Sequence, residues 1–188
     1  MKIFFDCEFT GLHQKTTLIS IGLVSECGKT FYAEFTDYDK TQCDKWIDDN
    51  VIKNLKFKDS KYIIDSDIFN NFQEFYSNKF WIKSALKAWL KQFESIEMWA
   101  DCLAYDWVLF NDLMADYKNG YPELPQNINY IPFDICTLFE MKGIDPDINR
   151  EEFAKEILTR ECFQSGPKHN ALWDAYVIKA CYNKLITT

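Results

Sequence analysis

The chain has 188 residues, of which 47% are hydrophobic and 17% aromatic, with only 6 Gly and 5 Pro. This composition fits a single packed domain over residues 1–188 and excludes a disordered or fibrous protein. The net charge of −8 has the wrong sign for a protein that holds nucleic acid mainly through Lys and Arg, so a polyanionic substrate would need a local basic patch or bound cations.

The sequence predicts a cytoplasmic protein with no membrane partner. No run of about 18 apolar residues occurs, because acidic residues such as Asp101 and Asp106 interrupt the most apolar region. The first residues reach an acidic side chain at Asp6, too early for the apolar part of a signal peptide. Seven Cys, with no pair separated by only two residues, give neither a disulfide framework nor a zinc knuckle.

Three β-strands are predicted at the start of the chain, where short runs are rich in Ile, Val, Phe, Tyr and Thr. They cover residues 2–8, 17–25 and 29–36. The turn at residues 27–29 favours antiparallel pairing of the second and third strands, with the first strand beside them. Residues 9–16 form a loop, and short helices and turns are predicted over residues 37–61.

Strands and helices alternate in the rest of the chain. Asn78 is predicted to cap a helix that runs to about Phe93, because the apolar residues of this segment fall on one helical face. The next predicted elements are a strand over 95–100, a helix over 105–117, a fifth strand over 128–133, a helix capped by Asp134, a loop over 143–149 and a final helix over 170–185. This pattern indicates an α/β domain with a mixed central sheet.

Asp6 and Glu8 stand two residues apart at the end of the first strand, where alternation directs both side chains to one face. Two carboxylates forced together on an apolar strand repel each other and resist burial. A divalent cation removes that cost, and carboxylate oxygens suit Mg²⁺ or Mn²⁺. An isolated pair of this kind is more often a solvated strand edge. Whether Asp6 and Glu8 bind a cation therefore depends on the other acids of the chain.

His169 and Asp174 are five residues apart near the end of the sequence, and in a regular helix they would lie on different faces. They converge only if His169 lies in the loop before the final helix and Asp174 projects from its first turns. A loop histidine can take a proton near neutral pH. A further acid, Asp106, is preferred over Asp101 because it begins the helix after a strand; Asp101 stays an alternative.

In this order, the acidic segments resemble the three motifs of the DEDD exonuclease superfamily. The motifs cover residues 5–12 (FDCEFTGL), 104–106 (AYD) and 169–175 (HNALWDA). Asn170 stands where the tyrosine branch has Tyr, so the third motif resembles that of the histidine branch, DEDDh. Residues 18–24, 29–33 and 96–100 carry a closer resemblance to a small bacterial and phage exoribonuclease-like group first recognised in mycobacteria.

The resemblance implies a ribonuclease H-like domain whose five-stranded mixed sheet has three antiparallel strands followed by parallel strands, flanked by helices. It implies a 3′–5′ exonuclease that acts on nucleic acid with a free 3′ end, favours RNA over DNA and releases nucleoside 5′-monophosphates, and it leaves a homodimer open. In that family two divalent cations, Mg²⁺ or Mn²⁺, are held by the residues matching Asp6, Glu8, Asp106 and Asp174. The residue matching His169 activates the attacking water.

The loop after the first strand supplies candidates for recognition of the 3′ terminus. Gly11 permits close backbone approach, Leu12 or Phe9 is suited to stack on a terminal base, and Thr10 lies between them. In the second motif, Tyr105 offers another aromatic surface. Core packing is an equally good interpretation of Phe9 and the commoner use of such a Tyr.

Three other functions fit the pattern less well. A catalytically inactive module of the same fold would bind nucleic acid or a partner without cutting. It would then keep four acids and a histidine, and their electrostatic cost would have no explanation. The His-x-x-x-x-Asp spacing argues against an endonuclease of the ribonuclease H type. A thiol enzyme using Cys7 is disfavoured because the neighbouring anions raise the pKa of the thiol and alternation turns it to the opposite face.

Overall fold

A mixed β-sheet of seven strands forms the centre of the computed structural model, which describes residues 1–57, 64–67, 72–114 and 124–187. The strands are β1 Lys2–Phe9, β2 Leu18–Ser25, β3 Thr30–Phe35, β4 Ile64–Asp67, β5 Phe72–Ser77, β6 Glu97–Ala100 and β7 Phe133–Asp134. Their order across the sheet is β4-β5-β3-β2-β1-β6-β7. The strands β1, β2 and β3 pair antiparallel, whereas β6 and β7 continue the sheet parallel to β1.

Helices cover the sheet on both faces. They are α1 Lys45–Asn50, α2 Lys79–Leu90, α3 Leu103–Met114, α4 Ile135–Met141, α5 Arg150–Ala154, α6 Arg160–Ser165 and α7 Ala171–Thr187, with short 3₁₀ turns at Lys40–Gln42, Ile52–Asn54 and Lys155–Ile157. Across the described part of the chain, every helix is too short or too polar to span a bilayer.

The predicted mixed sheet, with three antiparallel strands followed by parallel strands and helices on its faces, is confirmed, but the predicted number of five strands is wrong. The strands β4 and β5 form an antiparallel pair that extends the sheet beyond β3, to which β5 runs parallel. Their sequences, IDSD and FQEFYS, are too polar and too short for an apolar alternation to stand out. Pairing with the edge of β3 therefore decides their conformation.

Several predicted element bounds shift in the structure. The strand predicted over 128–133 is reduced to a single bridge at Ile128 and to β7, because Pro132 has no N–H to donate to a ladder. Helix α2 ends at Leu90, short of Phe93, and α3 begins two residues before the predicted start, while residues 115–117 lie outside the described residues. The short helices predicted over 37–61 are confirmed up to residue 57, and residues 58–61 are not described.

The predicted caps are confirmed. The carboxylate of Asp134 accepts hydrogen bonds from the N–H groups of Cys136 and Thr137 at the start of α4. The side chain of Asn78 accepts one from the N–H of Trp81 at the start of α2. Local side-chain chemistry thus determines where both helices begin.

Strand β1 separates two cores. The side chains of residues 3, 5 and 7 pack with α2 and α3, and Phe4 packs with α4 and α7. Because side chains alternate along a strand, Asp6 and Glu8 project toward the α7 side. The predicted common face of the two acids is therefore the face that α7 covers.

Gly22 in β2 lets the first turn of α7 lie directly on the sheet. A Cβ placed on Gly22 would lie 2.3 Å from the carbonyl carbon of Ala171 and 2.4 Å from the backbone nitrogen of Leu172. No side chain fits in that space. The contact sets the distance between the beginning of α7 and the strands that carry the acids.

Candidate active site

A cleft of about 550 Å³ opens at the end of β1. Its lining brings together groups from β1, the loop before α3, the loop before α5 and the start of α5, and the loop before α7 and the first turns of α7. The charged and histidine side chains of the lining are Asp6, Glu8, Asp101, Asp147, Arg150, Glu151, Lys168, His169 and Asp174. Segments that are far apart in the sequence therefore meet at one edge of the sheet.

Asp6 and Glu8 are half-buried at the floor of this cleft. Desolvation raises the pKa of the Asp6 carboxyl well above its usual value, and the charges of Asp106 and Asp174 raise it further. The pKa of Glu8 is raised in the same way, by burial first and then by Asp174 and Asp106. The two strand acids and the two distant acids are thus close enough to repel one another.

Asp106 is fully buried behind β1. Its Oδ1 accepts a hydrogen bond from the backbone N–H of Cys7 at 3.3 Å, while its Oδ2 is buried with no hydrogen-bond partner. Burial raises the pKa of Asp106 well above the usual value, and the Cys7 bond opposes that shift only in part. A buried oxygen without a donor is costly, and a cation beside it would remove the cost.

The alternative acid, Asp101, has partners of its own. Its Oδ1 lies 2.8 Å from Nη2 of Arg150 and accepts a hydrogen bond from Sγ of Cys136 at 2.9 Å. A carboxylate already paired with a guanidinium is a weaker candidate for a metal ligand than one with an orphaned oxygen. This contrast favours Asp106 over Asp101 as the fourth acid.

His169 lies outside α7 and Asp174 lies in its first turn, as the five-residue spacing requires. Ligand atoms of Glu8, His169 and Asp174 lie within 4.8 Å of one another. Burial and the charge of Glu151 raise the pKa of Asp174 to about 7. Burial and the neighbouring Lys168 lower the pKa of His169, which keeps its imidazole neutral at pH 7 and able to accept a proton.

The residues of this cleft fit a divalent cation. Carboxylate oxygens are the ligands that Mg²⁺ and Mn²⁺ prefer. Three desolvated carboxyls, those of Asp6, Glu8 and Asp174, line the cleft, and the buried Asp106 behind β1 has an orphaned oxygen. Such acids hold their protons unless a positive charge compensates them. The chemistry of these residues therefore fits a divalent cation.

Without divalent cations the protein is expected to lose stability as the pH rises from about 5 to about 8. The pKa of Asp174 is about 7 in the folded protein against an ordinary value of 3.8, so the folded state binds more protons than the unfolded state in this window. Melting curves in EDTA should therefore shift downward with pH, and Mn²⁺ should reverse the shift at pH 8.

The Asp174→Asn variant is the control for this pH dependence. It removes one titrating carboxyl, so its metal-free melting temperature should fall less steeply over the same window. A wild-type melting temperature that stays constant from pH 5 to pH 8 in EDTA would contradict the raised pKa of Asp174 in the folded protein.

A second cavity of about 390 Å³ lies beside Glu8. Phe9, Gly11 and Leu12 line it, and Leu12 is 73% exposed. Tyr105 stacks on Phe9 with ring centroids 5.2 Å apart, and both rings pack against the core. The predicted loop residues therefore border a cavity next to the acids, whereas Tyr105 supports one of them from the core.

Thr10 holds the loop together. Its side chain is buried, its hydroxyl donates to Oε1 of Gln42 at 2.6 Å, and it accepts a hydrogen bond from the N–H of Thr17 at 2.9 Å. The hydroxyl is thus engaged within the protein. These bonds favour a role for Thr10 in holding the loop, and its predicted part in substrate binding stays a prediction.

Trp46 is a site residue that sequence reasoning did not identify. Its indole is 53% exposed on α1, lines the second cavity and meets the ring of His169 edge-on, with centroids 5.2 Å apart. In the sequence it is an isolated aromatic residue within a polar segment. No spacing relates it to His169, because the two meet only through the packing of α1 beside α7.

Arg150 is a second site residue missing from the sequence prediction. Its guanidinium lines the cleft, pairs with Asp101 and lies over the ring of Phe139 at 5.2 Å. Lys168, also in the lining, lies 3.7 Å from Glu151. Both basic side chains of the lining are thus paired with acids of the same lining.

Three comparisons relate the chain to known proteins. A family model described as the 3′–5′ exoribonuclease Rv2179c-like domain matches residues 1–186. The chain is also similar to two 3′–5′ exoribonucleases of Mycobacterium tuberculosis, MT2234.1 of strain CDC 1551 / Oshkosh and Rv2179c of strain ATCC 25618 / H37Rv. Each is 28% identical to it over 128 residues, which are 67% of this chain and 68% of the relative. The Neurospora crassa Pan2 catalytic unit, with protease and nuclease domains, is similar in structure with a TM-score of 0.48 and 15% identity, covering 99% of this chain and 27% of that chain.

Proposed function

We propose a mechanism and a substrate for this protein, which belongs to the 3′–5′ exoribonuclease Rv2179c-like family. The protein is a hydrolase that acts on nucleic acids, an exoribonuclease like the relatives that share its sequence. In the proposed reaction, residues 1–188 act as one exonuclease domain that removes nucleoside 5′-monophosphates one at a time from a free 3′ end.

One observation carries the proposal: four acids from three separate segments meet beside a loop histidine. Asp6, Glu8 and Asp174 line one cleft with His169, and Asp106 reaches the same strand through the N–H of Cys7. Desolvation is the first cause that raises the pKa of each of the four carboxyls, and the charges of Asp106 and Asp174 also raise the pKa values of Asp6 and Glu8. Such a group favours cation-dependent chemistry over a purely structural role.

Two divalent cations are proposed to occupy this site. Asp6, Glu8 and Asp174 would hold one of them, and Asp6 together with Asp106 would hold the other. Bound there, two cations would supply an activated water, neutralise the scissile phosphate and stabilise the departing 3′ oxygen. Their positive charge would also offset the acidic character of the protein where the phosphate arrives.

His169 is proposed to accept the proton of the attacking water. Its lowered pKa keeps the imidazole in the neutral form that can accept a proton. Its loop position brings the ring to the edge of the acidic group, within 4.8 Å of the carboxylate oxygens of Glu8 and Asp174. The histidine can thus reach a water at the acids without belonging to a helix.

The cavity beside Glu8 is proposed to bind the 3′-terminal nucleoside. Its walls are mainly apolar, formed by Phe9, Leu12, Trp46 and Ile47, and an exposed indole offers a face on which a base can stack. Gly11 lets the backbone approach the sugar. A cavity that ends next to the acids would place the last phosphodiester of a strand over them, which is the geometry that an exonuclease needs.

The Trp46→Ala variant is expected to raise KM for an oligoribonucleotide by about 10-fold or more, because stacking of one base contributes about 1–3 kcal/mol. The kcat should change less, since the acids and His169 stay in place. Steady-state kinetics on a short 3′-labelled RNA measures both constants. Trp81→Ala is the matched control, because Trp81 is 62% exposed on α2 and packs against Phe80; an equal effect of both variants would remove the proposed stacking role.

The activity is tested with a 3′-labelled single-stranded oligoribonucleotide in Mg²⁺ or Mn²⁺. We expect mononucleotides to be released stepwise, EDTA to stop the reaction and a 3′-phosphate to block it. A matched DNA oligomer should be degraded more slowly, because RNA is the proposed substrate. Accumulation of internal fragments would exclude the exonuclease mechanism, and a protein that binds RNA without turnover would favour the inactive-module alternative. The homodimer and the cytoplasmic location stay predictions.

A further inference from the structure

His169 has a backbone conformation that needs support. It is the only residue other than glycine with positive φ in the described part of the chain, at +60°. The left-handed region is unfavourable for a residue with a side chain, and such conformations persist where the surroundings impose them. The flanking residues Lys168 and Asn170 are both held by side chains that come from distant segments.

Asn54, at the end of a 3₁₀ turn, holds the residue before the histidine. Its side-chain amide donates a hydrogen bond to the carbonyl oxygen of Lys168 at 2.8 Å. The carbonyl oxygen of Asn54 in turn accepts a hydrogen bond from the side chain of Asn170 at 3.4 Å. One residue of this turn therefore bonds to both neighbours of His169, to the backbone of Lys168 and to the side chain of Asn170.

Asn170 holds the residue after the histidine and is 2% exposed. Its Oδ1 accepts hydrogen bonds from the N–H groups of Leu172 at 3.1 Å and Trp173 at 3.4 Å, so it caps α7. This leaves Nδ2 to donate to the hydroxyl of Tyr32 at 3.0 Å. The orientation of the amide is thereby determined on both sides.

The network ends on strand β3. The Tyr32 hydroxyl donates to Oε1 of Glu34 at 2.7 Å, and the Glu34 carboxylate also accepts hydrogen bonds from the backbone N–H groups of Lys56 and Phe57. Tyr32 and Glu34 are both fully buried. A carboxylate accepts hydrogen bonds only, so the Tyr32 proton points to Glu34 and its oxygen is free to receive the Asn170 amide.

We propose that Tyr32, Glu34, Asn54 and Asn170 are positioning residues that determine where the His169 backbone places the imidazole. The inference rests on the proposed function, because it assumes that His169 accepts the proton of the attacking water. None of the four residues lines the cleft or the second cavity. Asn54 and Tyr32 act through hydrogen bonds to the two neighbours of His169, of which Asn170 is one, and Glu34 acts through Tyr32.

The Tyr32→Phe variant removes the central hydroxyl and leaves the ring in place. We expect kcat to fall by about 10-fold or more, because small displacements of a reacting group are costly, with KM for the oligoribonucleotide and the calorimetric affinity for Mn²⁺ unchanged. Tyr76→Phe is the matched control, since Tyr76 belongs to the same hydrophobic cluster but lies outside this network. Its kcat should stay within about twofold of wild type.

A double-mutant cycle separates positioning from a general structural effect. In a His169→Ala background, Tyr32→Phe should lower kcat no further, because the group that it positions is gone. If His169→Ala lowers kcat and Tyr32→Phe still lowers it independently, the positioning inference is wrong and the proposed role of His169 stands. If His169→Ala leaves kcat unchanged, both are wrong.

A second variant makes the test independent of the buried tyrosine. Asn54→Asp has nearly the same shape as wild type but cannot donate to the carbonyl of Lys168, and Asn54 is only half-buried. It should lower kcat selectively and show the same lack of additivity with His169→Ala. A loss of kcat that persists in the His169→Ala background would overturn the inference even if Tyr32→Phe fails to fold.

Discussion

The Asp6→Ala variant is expected to release mononucleotides from a 3′-labelled oligoribonucleotide at less than about a thousandth of the wild-type rate. Asp6 is the acid that would contact both cations, and its pKa is raised by each of the other three acids. Its removal should therefore abolish cation binding at both positions, whereas loss of an acid that contacts one cation would weaken the binding of that cation only. Calorimetric titration with Mn²⁺ should show no binding at concentrations that saturate the wild type.

Asp147→Ala is the control for this variant. Asp147 lines the same cleft, but it is not among the main charges that raise the pKa values of the four acids, and its N–H donates to Oδ1 of Asp145. It should keep its affinity for Mn²⁺ and a rate within a few-fold of wild type. If Asp6→Ala retains turnover, or if Asp147→Ala loses as much, the acids of β1 are not the centre of the reaction.

The His169→Ala variant is expected to slow kcat by about 10² to 10⁴-fold while leaving KM and the affinity for Mn²⁺ close to wild type, as for the loss of a general base. The reason is that His169 would accept a proton, whereas the four carboxylates hold the cations. Single-turnover kinetics at saturating enzyme isolates the chemical step from substrate binding.

The other histidine of the chain, His13, supplies the matched control. It is exposed in the loop that follows β1 and has no proposed part in the reaction, so His13→Ala should retain full activity. A different result for His169→Ala would be equally informative. Because its ring nitrogen lies within 4.8 Å of ligand oxygens of Glu8 and Asp174, a parallel loss of Mn²⁺ affinity and rate would make His169 a metal ligand instead of a proton acceptor.

Short-range patterns carried most of the correct predictions. The alternation of a strand put Asp6 and Glu8 on one face, and the structure places that face under α7. The spacing of His169 and Asp174 required a loop before the helix, which begins at Ala171. Caps such as Asp134 were visible because their bonds join residues two or three positions apart.

The strands and site residues that the sequence did not predict depend on contacts between distant segments. Strands β4 and β5 form only because β3 offers an edge for pairing, so their polar sequences contain little of the signal. Trp46 reaches His169, and Arg150 reaches Asp101, through the packing of elements that are remote in the sequence. Contacts of this kind depend on sheet order and helix placement, which no local pattern contains.

The sequence by itself determined the class of the domain, the candidate acids and histidine, and the strand face that carries Asp6 and Glu8, because each depends on backbone periodicity or on neighbouring residues. Only the tertiary structure decided that Asp6, Glu8, His169 and Asp174 share one cleft, and that Asp106 has an orphaned oxygen behind β1. It also decided that the backbone around His169 is held from β3 through Asn170. The physical reason is close packing: Gly22 lets the first turn of α7 rest on β2, and that contact brings residues from opposite ends of the chain within interaction distance.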